Sequence, residues 1–122
     1  MLDNNLSDSR YHPDITFGGG IINIKGRSIS EKSPAFFEKL INAFFEYTHN
    51  PEKSTKINIL LEYVNSSSNR SLMNLLIIAE KMQERGHDVE VNWYYQKGDE
   101  LMFDQGSIFR SLLDVRFNLI EK

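Results

Sequence analysis

An almost continuously apolar segment, STKINILLEYV at residues 54–64, lies between two amphipathic segments that have the period of a helix. A short apolar run of this kind is typical of a central β-strand that is covered on both faces. Helices on both sides of such a strand imply parallel crossover connections, which are almost always right-handed. The segment therefore predicts an α/β fold built around one buried strand.

The two flanking segments each place apolar residues on one face, at intervals of three and four positions. The first, SPAFFEKLINAFFEYTHN, predicts a helix that Ser33 caps and that Asn50-Pro51 ends. The second, SSSNRSLMNLLIIAEKMQERG, predicts a helix with Gly86 as its C′ residue. The apolar stripes are Phe37, Leu40, Ile41, Phe44 and Phe45 in the first helix, and Leu72, Leu75, Leu76, Ala79 and Met82 in the second.

Shorter β-rich runs lie before and after these helices. Two of them flank Gly18-Gly19-Gly20, which predicts a hairpin turn. A phosphate-binding loop is disfavoured there, because no Gly-Lys-Ser/Thr sequence follows. Further along, HDVEVNWYY alternates between apolar and polar residues, as a strand with one covered face does.

The C-terminal part completes the pattern. A third helix is expected within residues 99–114, weakened by Gly106, and RFNLIE predicts a last short strand. The predicted order is β-β-α-β-α-β-α-β, in a single α/β domain with a mixed β-sheet. This domain is expected over residues 14–122, and the polar residues 1–13 are expected to form a flexible N-terminal arm.

The composition excludes several classes of protein. A net charge of −3 gives none of the basic excess that a nucleic-acid-binding domain usually carries. No apolar run is long enough to span a bilayer, and MLDNNLSDSRYHPD at the N-terminus is unlike a signal peptide. The chain has no cysteine, which excludes disulfides, thiol chemistry and Cys-based zinc sites. We expect a cytoplasmic protein that binds neither nucleic acid nor a membrane.

Few residues are placed for catalysis. The sequence contains no G-x-S-x-G nucleophile elbow and no pair of histidines at metal-ligand spacing. Asp99, Glu100 and Asp104 form a small acidic group, which suits either a magnesium site or, more simply, the N-terminal end of a helix. We expect no enzyme, no metal site and no cofactor. A small metal-dependent enzyme that uses these three carboxylates is the alternative from another class.

Ser66, Ser67 and Ser68 follow the central strand and open the second helix. Serine is a preferred N-cap residue, and Asn65 is also suited to that position, so capping alone explains this segment. A helix start also tolerates an anion, and the carboxyl ends of strands are where ligands usually meet an open α/β sheet. A phosphate added to an exposed hydroxyl here would change the surface charge without unfolding the helix. The residues alone are compatible with both interpretations.

Four segments resemble the SiaC family of bacterial regulatory phosphoproteins and, more distantly, the STAS-type anti-sigma factor antagonists. They are GRSISEKSPAFF, LLEYVNSSSNRSLMNLL, VNWYY, and GDELMFDQGSIF before a terminal RFNLI, and their order carries the resemblance from about Ile15 onward. The resemblance implies a STAS-like domain with no catalytic activity. It also implies reversible phosphorylation at the hydroxyl residue that directly follows the Asn at the end of the strand.

Family members usually have Asn-Thr-Ser-Ser at this place, whereas this chain has Asn65-Ser66-Ser67-Ser68. The resemblance therefore implies Ser66 as the acceptor, with Ser67 as a less favoured competitor. The partner-binding surface is expected to comprise Asn65, Ser66, Ser67, Ser68, Asn69 and Arg70. A further departure is Gln105, where family members are often acidic, and this weakens the interpretation of the acidic group as a metal site.

The resemblance also implies partners, as classes of protein. A cognate Ser/Thr protein kinase adds the phosphate, and a metal-dependent Ser/Thr phosphatase removes it. The unmodified form binds and activates a diguanylate cyclase, which places the family in c-di-GMP signalling and biofilm control. The alternative within the binding class is a STAS-like anti-sigma factor antagonist that controls transcription.

Overall fold

Helices and strands alternate along the chain in the predicted order. The computed structural model describes residues 5–6, 13–28 and 33–122. Within these residues the elements are β1 (Asn5–Leu6), β2 (Asp14–Gly18), β3 (Ile21–Ser28), α1 (Ser33–Tyr47), β4 (Ser54–Val64), α2 (Ser66–Glu84), β5 (Asp88–Tyr95), α3 (Glu100–Leu112) and β6 (Arg116–Glu121). From β2 onward this is the order β-β-α-β-α-β-α-β, so the predicted single α/β domain is confirmed.

The N-terminal arm that the sequence predicts is described only in part. The short strand β1 falls within it and pairs with β2. Residues 1–4 and 7–12 of the arm lie outside the described residues, as does the side chain of the predicted helix cap Ser33. The flexibility of the arm and the capping by Ser33 therefore stay predictions.

The six strands form one mixed sheet in which the strands follow each other in chain order. β1, β2 and β3 are antiparallel neighbours, joined at the second connection by the predicted hairpin turn. Gly19 and Gly20 supply this turn with φ angles of +59° and +80°, which favour glycine. β3, β4, β5 and β6 are parallel, and one helix connects each successive pair.

All three helices cover the same face of the sheet. Parallel strands in chain order, joined by right-handed crossovers, place every helix on one side. The burial of β4 shows this: Thr55, Ile57, Ile59 and Leu61 are buried, whereas the residues between them are exposed or half-exposed. The prediction that β4 is covered on both faces is therefore wrong. Its alternate positions, including Asn58, face the open side of the sheet.

A row of hydrogen-bonded side chains crosses this open face. The Nδ2 group of Asn58 donates to Asn23 Oδ1 at 3.0 Å, that of Asn92 to Asn58 Oδ1 at 2.9 Å, and that of Asn118 to Asn92 Oδ1 at 3.0 Å. At the other end, Asn23 Nδ2 donates to Thr16 Oγ1 at 3.3 Å. The five residues are directly opposite each other on β2 to β6, so one ladder of side chains spans five strands.

The covered face of the sheet and the three helices enclose one apolar core. Its largest fully buried side chains include Trp93 of β5 and Phe37 and Phe44 of α1. The stripes predicted for α1 and α2 mostly enter this core, although Phe45 remains 53% exposed. No helix within the described residues combines the length and the apolarity that crossing a bilayer requires.

Gly106 is buried on the side of α3 that packs against the sheet. A Cβ atom built on Gly106 would be 2.5 Å from Cδ1 and 2.7 Å from Nε1 of Trp93, and 2.7 Å from Cδ2 of Leu119. The indole Nε1 of Trp93 in turn donates a 2.9 Å hydrogen bond to the carbonyl oxygen of Met102. Gly106, which was expected to weaken the helix, is therefore the residue that lets α3 pack on Trp93.

Candidate functional site

Asn65 is the N-cap of α2. Its extended backbone (φ −78°, ψ 169°) turns the chain from β4 into the helix. Its Oδ1 accepts a 2.8 Å hydrogen bond from the backbone N–H of Ser68 and a 3.1 Å hydrogen bond from the hydroxyl of Ser67. The cap is thus supplied by Asn65, one of the two possibilities that the sequence left open, and no serine is needed for it.

The three serines have different surroundings. Ser68 is fully buried, and the half-buried hydroxyl of Ser67 donates to Asn65. Ser66 is exposed, and its hydroxyl has no hydrogen-bond partner among the residues that the structure describes. An added group at Ser66 therefore displaces no packed atom, whereas one at Ser68 would have to enter the core.

Asn69 and Arg70 complete the first turn of the helix. Asn69 is half-buried, and its Oδ1 is buried without a hydrogen-bond partner in the described part of the chain. An unsatisfied buried acceptor destabilises a fold by about 1–3 kcal/mol. The Arg70 side chain is exposed one turn beyond Ser66. The six residues predicted to bind a partner are therefore gathered in one turn, with Ser66 and Arg70 the most accessible.

The electrostatics of this turn come mainly from the backbone. The first turn of α2 contains no acidic residue. The positive end of the helix dipole is thus not offset by a carboxylate within the turn, and it favours an anion at this position. Nearby, at the carboxyl ends of β3 and β4, Arg27 and Glu62 form an exposed ion pair of 3.3 Å. The site accommodates negative charge but does not concentrate cations.

The predicted acidic group lies at the start of α3. Asp99 is the N-cap of α3, and its Oδ1 accepts a 3.1 Å hydrogen bond from the backbone N–H of Met102. Glu100 and Asp104 are exposed on the helix. Within residues 5–6, 13–28 and 33–122, no group of three or more His, Cys, Asp or Glu side chains could hold a metal ion. The alternative of a metal-dependent enzyme therefore receives no support from this group.

An exposed apolar strip on α3 was missed in the sequence. Leu101 is 82% exposed, Ile108 51% and Leu112 62%. We call these three residues the α3 strip. Their spacing of seven and four positions places them on one side of the helix, next to the side that enters the core. That spacing was visible in the sequence, but apolar residues at helical spacing usually indicate a buried face.

A cleft within the described residues is separate from the start of α2. It measures about 660 Å³ and lies between the glycine hairpin and α1, with Phe17 and Tyr47 among its lining residues. The Tyr47 hydroxyl already bonds Thr55 Oγ1 at 2.8 Å and the backbone N–H of Glu52 at 3.0 Å. Since the size of a cleft alone assigns no chemistry, the start of α2 remains the better candidate site.

Comparison with solved structures identifies the fold. A chain in the crystal structure of the diguanylate cyclase SiaD in complex with its activator SiaC, from Pseudomonas aeruginosa, superposes with a TM-score of 0.92 at 21% identity. That match covers 98% of this chain and 100% of the other. A structure of SiaC of Pseudomonas aeruginosa gives a TM-score of 0.90 at 21% identity, with both chains covered fully. The crystal structure of apo-SiaC from the same organism gives 0.89 at 21% identity, covering 98% of this chain and 99% of that one.

Sequence comparison extends the likeness to the family. An uncharacterized protein of Pseudomonas aeruginosa (strain UCBPP-PA14) is 24% identical over 112 residues, which cover 90% of this chain and 89% of the relative. Residues 6–122 match the family described as SiaC family regulatory phosphoprotein. The match spans the sheet, all three helices and the first turn of α2. The chain therefore belongs to the SiaC family of regulatory phosphoproteins.

Proposed function

We propose that this chain is a non-catalytic partner-switching protein of the cytoplasm that is controlled by phosphorylation of Ser66. A cognate Ser/Thr protein kinase adds the phosphate, and a metal-dependent Ser/Thr phosphatase removes it. The unmodified form binds and activates a diguanylate cyclase. Membership of a family of regulatory phosphoproteins supports this proposal, and so does the fold shared with a chain from the complex of a cyclase with its activator.

The observation that carries the proposal is that Asn65, and not Ser66, caps the helix. Because Asn65 caps the helix, the Ser66 hydroxyl is exposed and has no structural contact within the described residues. Such a hydroxyl is accessible to a kinase and a phosphatase in the folded protein. Ser67 and Ser68 are less suitable acceptors, since the first is engaged with Asn65 and the second is buried.

Charge and desolvation explain how the phosphate would act. Phosphorylation adds a charge of about −1.5 to −2, and burying this charge unpaired in an interface costs several kcal/mol. A difference of about 4 kcal/mol corresponds to roughly a thousandfold in affinity. The phosphate therefore releases a partner that covers Ser66, while the fold is unchanged. Arg70, exposed one turn away, can pair with the phosphate and reduce this effect.

Two measurements test the proposal. In the first, the protein is incubated with the kinase and ATP, and the phosphopeptides are mapped for wild type and for Ser66→Ala. We expect one phosphate on Ser66 in the wild type and none in the variant. A phosphate on Ser67 or Ser68 with Ser66 unmodified would remove the assignment.

The second measurement is a calorimetric titration of this protein with a diguanylate cyclase of the same organism. Unmodified protein, phosphoprotein, Ser66→Asp and the control Ser66→Ala are compared. We expect tight binding of the unmodified protein and Ser66→Ala, at least a hundredfold weaker binding of the phosphoprotein, and an intermediate value for Ser66→Asp, which carries a single charge. Equal affinities for all four proteins would exclude an electrostatic switch at Ser66.

A further inference from the structure

β6 lies at an edge of the sheet, and β5 is its one neighbouring strand among the residues that the structure describes. The backbone N–H of Lys122 donates a 2.9 Å hydrogen bond to the carbonyl oxygen of Tyr95 in β5. Because the backbone groups of a strand point to alternate sides, those of Phe117, Leu119 and Glu121 point away from β5. An outer edge of this kind is a template on which another strand can pair.

The helices leave this edge uncovered. Glu80 and Gln83 of α2 each follow a buried residue by one position, and both contact the segment that joins α3 to β6. This flank of α2 therefore faces the next helix along the sheet. α3 runs in the same direction as α2, because each joins two parallel strands by the same kind of crossover. The corresponding flank of α3, with the exposed Phe103 and Arg110, thus faces past β6, where the described part of the chain has no further helix or strand.

The strand itself has few of the features that keep an edge unpaired. It contains no proline, and its register with β5 is regular over its whole length, without a bulge. Its charged residues, Arg116 and Glu121, stand at its two ends, and the four residues between them are uncharged. Edge strands that stay unpaired are usually protected by proline, by a bulge or by a charge near their centre. The centre of β6 is therefore open to another strand.

The row of asparagine side chains on the open face of the sheet ends at this edge. The Nδ2 group of Asn118 donates to Asn92 Oδ1, as each amide of the row donates to the one before it. Within the described ranges the Oδ1 atom of Asn118 has no hydrogen-bond partner. An amide has two donor hydrogens and an acceptor oxygen, so Asn118 can bind one more amide on its outer side. A strand that presents an asparagine opposite Asn118 would extend the row.

A second copy of β6, running in the opposite direction, is such a strand. A two-fold axis perpendicular to the sheet and next to Asn118 places the two Asn118 residues opposite each other, at a pair whose Cα atoms are about 4.5 Å apart. It also places Phe117 opposite the second copy's Leu119. The outward N–H and C=O groups of these residues then form the hydrogen-bonded pairs of an antiparallel ladder. The apolar face of one sheet continues into that of the other.

The charges of α3 favour the same orientation. A Cβ atom on Gly106 would meet both Trp93 of β5 and Leu119 of β6, so α3 lies over these two strands. In the paired arrangement the second α3 lies beyond the shared edge and runs antiparallel to the first. α3 has the acidic Glu100 in its first turn and the basic Arg110 in its last. The acidic start of each helix therefore lies towards the basic end of the other, and the helix dipoles oppose each other favourably.

We propose that the outer edge of β6 binds β6 of a second copy of this chain, antiparallel and centred on Asn118. The contact consists of one strand and one helix flank from each copy, so the dimer is weak and forms with rising concentration. This inference does not depend on phosphorylation. It has a consequence for the arrangement of Ser66, which follows the carboxyl end of β4. Because the strands of the two copies run in opposite directions, the two Ser66 residues lie at opposite ends of the dimer.

Single cysteines test the register, because the chain has no cysteine of its own. Asn118→Cys places two thiols across the two-fold axis, at a Cα separation that a disulfide can bridge. Arg116→Cys is the control on the same strand and face, since its Cα atom would lie about 14 Å from its counterpart. Under mild oxidation we expect the first variant to form a disulfide-linked dimer at least tenfold faster than the second. Equal rates would exclude this pairing.

Sedimentation equilibrium over a hundredfold range of concentration measures the dimer without a cross-link. We expect the mass of wild type to rise towards that of two chains. Asn118→Lys places like charges opposite each other and should weaken the dimer at least tenfold. Thr16→Lys is the matched control, because the exposed Thr16 ends the same row on β2, and it should dimerise like wild type.

A thermal melt checks that both lysine variants are folded, and the cysteine variants decide if Asn118→Lys is not. A wild type that stays monomeric at every concentration would overturn the proposal, including the case in which a strand of another protein occupies the edge. A dimer that both lysine substitutions weaken equally would overturn it as well, since the contact would then not be centred on β6.

Discussion

Two adjacent residues at the start of α2 have different roles: Asn65 caps the helix, and Ser66 is the residue that we propose is modified. Asn65 satisfies the backbone N–H of Ser68 and holds Ser67, and Ser66 is left exposed. A phosphate on a residue that also capped the helix would disturb the structure it has to leave intact. With Asn65 as the cap, the proposed phosphate on Ser66 would change the surface while the first turn of the helix keeps its hydrogen bonds.

The stabilities of two alanine variants test these roles. Ser66→Ala should change the free energy of unfolding by less than about 0.5 kcal/mol, because the exposed side chain makes no contact that holds the helix. Asn65→Ala should destabilise the protein by about 1–2 kcal/mol, because it removes the N-cap. Urea denaturation of both variants and wild type gives these values. A larger loss for Ser66→Ala than for Asn65→Ala would reverse the assignment of the cap.

The sequence identifies the residues that could cap α2, but it does not show which of them is the N-cap. Asn65 and the serines all have good capping side chains, and the choice depends on the backbone angles where β4 ends. The exposure of Ser66 likewise depends on which way the first turn faces. The resemblance to the SiaC family indicates Ser66 independently of both, and the structure supplies a physical reason for that position.

Among the elements, α3 is the one whose packing differs most from what its sequence indicates. Gly106 looks like a weak point, since glycine is about 1 kcal/mol less favourable than alanine inside a helix. In the fold, the missing side chain is what lets the helix backbone approach the Trp93 ring. The boundaries of the helix were still predictable from its apolar period and from the acidic residues at its start.

Gly106→Ala should therefore be destabilising in spite of the better helix propensity of alanine. The added methyl group meets an indole that is held by its hydrogen bond to Met102, so relief requires α3 to move outward. Overpacking of this kind costs about 1–3 kcal/mol. Thermal unfolding, followed by the fluorescence of the single tryptophan, measures the loss. Ser107→Ala, at the next position, is the control and should be nearly neutral.

On the scale of the whole molecule, one face of the sheet is apolar, and the other carries a row of hydrogen-bonded asparagine side chains. The element order follows from the alternating periods of the sequence. The open face was marked by the polar Ser54, Lys56, Asn58 and Glu62 at alternate positions of β4, but the apolar Leu60 among them made the segment look continuously apolar. The sequence also does not predict that four asparagines lie side by side, because residues far apart in sequence become neighbours only once the strands are aligned. They are Asn23, Asn58, Asn92 and Asn118.

The row of hydrogen-bonded asparagine side chains predicts that an asparagine at its centre contributes more to the free energy of unfolding than one at its end. Asn92 is nearly buried and bonds both neighbours, so Asn92→Ala leaves an acceptor on Asn58 and a donor on Asn118 without partners. We expect a loss of about 1–2 kcal/mol in the free energy of unfolding. Asn118→Ala, at the exposed edge, removes a single bond and should cost about 0.5 kcal/mol. Denaturant titration compares the two, and equal losses would contradict this prediction.

The exposed position of Ser66 also has a consequence for the timing of the proposed switch. If the partner covers Ser66, as we propose, the partner and the kinase compete for access to the same hydroxyl. A protein molecule engaged with its partner is shielded from the kinase until the partner dissociates. The rate at which the signal is turned off is then limited by the lifetime of the complex, however much kinase is present. The phosphorylated form meets no such delay, because its released surface is free for the phosphatase.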